Sequence, residues 1–134
     1  MRLLMVMYGV EHLEASVDYY RDLGLVPAWW PDEEAVVLST DPPSSRILIM
    51  LSRDSNETML GPGGVFAVDD LDGFYRTHDS LDWLVDPVDG SIGRYAAFAD
   101  RTGVPVRLVD YSHVPAAAHL FDAPENADAR NLRA

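Results

Sequence analysis

The sequence predicts a single α+β domain assembled from two tandem βαβββ modules. Three observations lead there. Both halves of the chain run through the same five elements in the same order. The strand-to-helix junction Val10-Glu11-His12-Leu13-Glu14-Ala15 returns 58 residues later as Val68-Asp69-Asp70-Leu71-Asp72-Gly73. Finally, 134 residues, 48% hydrophobic and 24% charged, are enough for one core but not for several.

Leu3 to Val10 is a near-continuous apolar run of strand length, as expected of a strand covered on both faces. In the segment that follows, Leu13, Val17, Tyr20 and Leu23 form a helical stripe that Gly24 stops. Pro27 to Trp30 is a short extended segment, turned by Pro31-Asp32-Glu33-Glu34 into a strand over Ala35 to Ser39. Asp41-Pro42-Pro43-Ser44-Ser45 turns again, and Arg46 to Leu51 is the last strand of the first module. Arg53 to Gly64 is polar and Gly/Pro-rich and reads as a linker. The second module then takes a strand at Val65 to Val68 and a helix over Asp70 to His78. Extended segments follow at Leu81 to Val85, Arg94 to Ala99 and Val104 to Val109, separated by turns at Asp86 to Gly90 and Asp100 to Gly103.

Two of these segments resemble the vicinal oxygen chelate superfamily, the glyoxalase/bleomycin-resistance/dioxygenase fold. Leu13-Glu14-Ala15-Ser16-Val17-Asp18-Tyr19-Tyr20-Arg21-Asp22-Leu23-Gly24-Leu25 is similar to its first-helix pattern. Phe98-Ala99-Asp100-Arg101-Thr102-Gly103-Val104-Pro105-Val106-Arg107-Leu108 is similar to its closing strand-turn-strand. The resemblance implies a curled, open mixed sheet around a cavity, usually completed within a homodimer. It covers residues 1–110 as one domain, with modules at about 1–55 and 62–110, and leaves 111–134 as a partly mobile C-terminal extension. The fold hosts metal lyases, isomerases, dioxygenases and metal-free drug-binding proteins, so fold alone does not choose among them.

Enzymes of the family carry a His or carboxylate on the first and last strand of each module. Counting seven back from His12 places Met5 at the first of these positions, and the same count from Asp70 places Gly63 at its counterpart. Ile47 to Leu51 holds no His, Asp or Glu, and Arg107 stands where a glutamate is usual. Apolar side chains offer no comparable lone pair, and Arg107 repels a cation, so no metal or other cofactor is expected. His12 opens a helix and His78 ends one, where a cation suits the helix dipole. His113 and His119 lie six apart around Pro115, not the three or four of a helical ligand pair, which leaves a noncanonical tail site open. Asp32-Glu33-Glu34 and Asp69-Asp70 suit turns and caps. Gly61-Pro62-Gly63-Gly64 precedes a strand rather than joining strand to helix, which argues against phosphate cradling.

Strand alternation gives a candidate ligand-binding set of Met5, Met7, Trp29, Trp30 and Arg107. If Met5 faces the cavity, Leu3, Met7 and Gly9 face it too, while Val6, Tyr8 and Val10 face the helix. Only one of Trp29 and Trp30 can point inward. Methionine adapts to apolar ligands, tryptophan stacks on planar or cationic ones, and Arg107 suits a ligand anion or an acidic residue of the chain. The structural alternative for each is plain core packing.

The net charge of −12 disfavours nucleic acid and anionic membranes, and nothing approaches the ~20 apolar residues of a membrane helix. With no cysteine there is no disulfide framework and no thiolate chemistry. The expected protein is cytoplasmic and metal-free and binds a small cationic or aromatic ligand, as in drug or natural-product sequestration and antibiotic resistance. Acidic loops such as Asp32 to Glu34 would concentrate a cation. The alternatives are a metal-dependent lyase, isomerase or dioxygenase with displaced ligands, and a metal-free enzyme of the same fold using Arg107 or a tyrosine.

Overall fold

The computed structural model describes residues 1–40 and 48–122. The turn expected at Asp41 to Ser45, the expected start of a strand at Arg46, and the part of the expected C-terminal extension beyond Asp122 lie outside the described residues. The first half of the chain supplies β1 (Arg2–Gly9), α1 (Leu13–Asp22), β2 (Leu25–Asp32), β3 (Ala35–Thr40) and β4 (Ile49–Ser52). After α2 (Ser55–Leu60) come β5 (Gly63–Ala67), α3 (Leu71–Thr77), β6 (Asp82–Asp89), β7 (Arg94–Ala99) and β8 (Pro105–Asp110). The last described helix is α4 (Pro115–Phe121).

All eight strands form one open mixed sheet in the order β2-β3-β4-β1-β5-β8-β7-β6. Each half has its first and last strands side by side and parallel, β1 with β4 and β5 with β8. The halves meet through the antiparallel β1–β5 pair. The two halves are thus mirrored in strand order about that central seam.

One face of the sheet is covered by two helices. Leu13 and Val17 of α1 pack on Val36, Leu38 and Leu51. Leu71 of α3 packs on Ala96, Phe98 and Leu108. The alternate residues of the same strands, Ala35, Val37, Met50, Val65 and Val109, share a third cluster on the opposite, concave face. Ala117 and Phe121 of α4 join that cluster, so the C-terminal helix fills part of the concave face. Arg2 and Tyr111 hydrogen-bond, and both engage Asp122 Oδ1, fastening the end of α4 to β1.

Three expectations need correction. The linker at Arg53 to Gly64 contains α2, too short for a periodic apolar stripe but closed at both ends. Asp54 Oδ1 accepts from the backbone N–H groups of Asn56 (2.8 Å) and Glu57 (3.3 Å), and Gly61 ends the helix at φ +89°. The turn expected at Asp86 to Gly90 begins later, because β6 continues to Asp89. Pro87 is tolerated there because β6 is an edge strand, and a register shift between Val85 and Val88 absorbs it. Leu3 does not face the cavity. A bulge between Leu3 and Met5 breaks the alternation, leaving Leu4 and Met5 both buried while Leu3 is 58% exposed.

Candidate functional site

The concave face that α4 leaves uncovered is a cavity of about 570 Å³, within the range of small-molecule sites. Its floor comes from the inward positions of the central strands: Met7 of β1, Met50 of β4, Val65 of β5 and Val109 of β8. Ile92 and Tyr95 wall one side, and α2 supplies Asn56, Glu57, Met59 and Leu60 on another. Leu84 and Val88 of β6 and Met59 form an exposed apolar mouth.

Four carboxylates line this cavity, Asp32, Glu34, Asp54 and Glu57, and no Lys, Arg or His does so among the described residues. Asp32 Oδ1 accepts from Glu34 N at 2.7 Å, fixing the β2–β3 turn as the sequence suggested. Glu34 is paired with Arg53 across 2.9 Å, a half-exposed contact that neutralises it only in part.

Arg107 lies beneath the cavity and is completely buried. Its Nε donates to Glu57 Oε2 at 2.6 Å, and Nη2 donates to the carbonyls of Gly61 (2.7 Å) and Glu57 (3.3 Å). The guanidinium therefore holds both the side chain and the C-terminal end of α2 against the sheet. Room for it comes from small neighbours. Ala97 is its cross-strand partner on β7, and a Cβ at Gly63 would stand 3.3 Å from Nη1. No well-aligned hydrogen bond reaches Arg107 Nη1 or the buried hydroxyl of Tyr95 among the described residues, but that hydroxyl lies beside both Glu57 and Arg107 and interacts with each. Burial first, and then the negative charge of nearby Glu57, push the Tyr95 phenol far above its usual range, so it stays protonated.

Of the five candidate ligand residues, only Met7 lines the cavity. Met5 is 2% exposed in the core behind it. Trp29 is the inward member of its pair, opposite Val37 and packed on the concave-face cluster, while Trp30 is 46% exposed. Arg107 faces an acidic residue of its own chain. Sequence reasoning missed Glu57 and Tyr95. Glu57 sat in the presumed linker, whereas Tyr95 was accessible to the same alternation argument that selected Arg107.

The metal position of the fold can be tested on the inward residues of its four strands: Met5 and Met7, Met50 and Ser52, Gly63 and Val65, Arg107 and Val109. None is a His, Asp or Glu, and a guanidinium stands among them. No group of three His, Cys, Asp or Glu able to hold a metal occurs among the described residues. These residues do not fit the metal of the enzymes that the sequence resembles. His12 takes the N-cap position of α1 without a side-chain cap bond, and His78 ends α3 stacked on Phe74. His113 and His119 are exposed beside and on α4. No helix among the described residues is long and apolar enough to cross a membrane.

No family model and no curated protein matches the sequence. Solved structures do match. A methylmalonyl-CoA epimerase from Mycobacterium tuberculosis is 24% identical at a TM-score of 0.59, over 87% of this chain and 92% of that one. An NAD-dependent benzaldehyde dehydrogenase from Legionella pneumophila is 14% identical at 0.62, over 78% and 95%. A glyoxalase/bleomycin resistance protein/dioxygenase superfamily member from Vibrio splendidus 12B01 is 20% identical at 0.55, over 80% and 96%. The differing activities in these names carry nothing to this chain. Sheet order, paired parallel strands and structural likeness agree on the glyoxalase/bleomycin-resistance/dioxygenase fold, the vicinal oxygen chelate architecture.

Proposed function

We propose that this protein binds a small aromatic cation in the concave cavity, without a metal, and sequesters it rather than transforming it. The observation that carries this reading is the pairing of an apolar floor with four carboxylates and no basic side chain along the lining. An aromatic cation satisfies both: its faces meet Met7, Met50 and Val109, and its charge lies in the field of Asp32, Glu34 and Asp54. Of the residues singled out in the sequence, Met7 touches the ligand and Met5 and Trp29 support the floor. Arg107 anchors α2. On the same reading the protein is a cytoplasmic homodimer, with the exposed Leu84 and Val88 of the edge strand β6 packed on the second copy.

Titration calorimetry at pH 8 and low salt tests the ligand class with three probes of one size: 1-methylquinolinium, neutral 2-methylquinoline and quinoline-4-carboxylate. The cation should bind at least ~10-fold more tightly than either, and more weakly as salt rises. Equal binding of the three, or preference for the anion, overturns the charge argument. Stoichiometric metal surviving dialysis of protein purified without chelators overturns the metal-free part, and light scattering decides the homodimer.

A further inference from the structure

The two sides of the cavity differ in kind. Asp32 and Glu34 reach it from the end of edge strand β2 and its turn, and Asp54 and Glu57 from the start of α2. The backbone N–H of Arg53 donates to the Glu34 carbonyl at 2.8 Å, so that turn and the start of α2 stand side by side. The opposite edge strand, β6, and the hairpin joining it to β7 supply Val85 and Ile92 and no carboxylate to the lining. This is not for want of acids, because β6 carries Asp82, Asp86 and Asp89. Asp86 accepts from the Tyr75 hydroxyl on α3, Asp89 pairs with Arg94, and none of the three lines the cavity. On the acidic side, Arg53 partly neutralises Glu34 and Arg107 balances Glu57. Asp32 and Asp54 enter no ion pair among the described residues.

We propose that the cavity is directional and takes an amphiphilic cation, with an ammonium group at one end set between the β2–β3 turn and α2, and an apolar ring system at the other set against Val85 and Ile92. The proposal rests on the cation reading above and narrows it to ligands whose charge and apolar body are separated. A cation with its charge inside a flat ring system holds that charge over Met7, Met50 and Val109, where it loses water and gains no partner. A terminal ammonium instead lies against Asp32 and Asp54 at the open side, where attraction is gained and part of its hydration is kept. Its ring then covers the floor and the carboxylate-free wall, which offer apolar contact alone.

The test uses two isomeric cations, 2-(2-naphthyl)ethylammonium with its charge at one end and 1-propylquinolinium with its charge in the ring, titrated calorimetrically into the native protein. The ammonium probe should bind about 10-fold more tightly than its isomer. That ratio should fall in Asp32→Asn and in Asp54→Asn and approach about 1 in the double variant. Asparagine keeps the Oδ1 acceptor that serves Glu34 N in the turn and Asn56 N at the start of α2, so these variants remove charge and leave both turns closed. Equal binding of the isomers to the native protein, or preference for 1-propylquinolinium, overturns the directional reading and leaves the cation cavity standing. A ratio that survives in the double variant overturns the placement of the ammonium. Failure of both probes to bind overturns the cavity reading and the directional one with it.

Discussion

Glu57→Ala isolates the buried charge on which the architecture of the site depends. In the native protein Arg107 is wholly buried and the Glu57 side chain is 16% exposed, with 2.6 Å between Nε and Oε2. At charge centres ~4 Å apart and an effective dielectric constant of ~20, their attraction is about 4 kcal/mol. The cost of burying both ions offsets most of it, so the intact pair contributes little net stability. Removing one ion is different, because the desolvation cost of the other then stands alone. Breaking a buried pair this way typically costs about 3–5 kcal/mol. The expected value here is the lower end, about 3 kcal/mol. The carbonyls of Gly61 and Glu57 still receive Nη2, and the truncated side chain admits water from the cavity. Urea unfolding followed by circular dichroism measures the change. The double variant Glu57→Ala/Arg107→Met removes both charges and should recover at least half of the loss, giving a coupling energy of roughly 1.5 kcal/mol or more. A single-variant cost below about 1 kcal/mol, or strictly additive losses, would show that the pair is solvated and does not fix α2.

Gly63→Ala would set a Cβ 2.4 Å from the Pro105 carbonyl oxygen and 3.3 Å from Arg107 Nη1, so urea unfolding should show a loss of about 1–3 kcal/mol. Trp29→Ala should cost about 2 kcal/mol and Trp30→Ala less than about 0.5, and neither should abolish binding of 1-methylquinolinium, because neither ring lines the cavity. Asp100 is held below the usual carboxylate range by the Thr102 hydroxyl, then by the N–H groups of Val104 and Thr102. Its folded pKa is depressed, so its stabilisation is present above the unfolded value of about 3.9 and lost as pH falls through the folded pKa. The urea midpoint of Asp100→Asn should therefore lie below the native one at pH 6, with the gap closing as pH drops below about 4.

The fold was legible because its signals are long and repeated. Leu13, Val17 and Leu71 face the sheet as the helical stripes require, and Val106 and Leu108 turn to the helices while Arg107 and Val109 turn away. The site was less legible because it depends on departures from regular pattern. The bulge after Leu3 reverses one residue against the rest of β1, and no composition signal marks it. Six residues of α2 carry no measurable period, yet they bring Glu57 to Arg107 across 50 positions of sequence. Inward alternation found Arg107 but could not supply its partner, so a ligand anion and an acidic residue stood as equal choices. The tertiary ion pair decides for the acid.

That ion pair also explains where the cavity lies on the concave face. The inward positions of β1, β4, β5 and β8 are chemically poor in metal donors, and the one charged group among them is consumed in holding α2. Toward α4, Ala117 and Phe121 pack on Met5 and neighbouring core residues, and that part of the face is closed. Toward α2, which packs on the central strand β1, Glu57 turns to Arg107 while Met59 is 84% exposed, and the space beside the helix stays open. The excess negative charge is therefore not uniform coating. Asp32, Glu34 and Asp54 come from two turns that converge on the open end, because β2–β3 and β4–α2 connect at the same edge of the cavity. On the proposed reading, a cation approaching that end would meet the field before the methionines, so that charge would govern entry and the apolar floor retention.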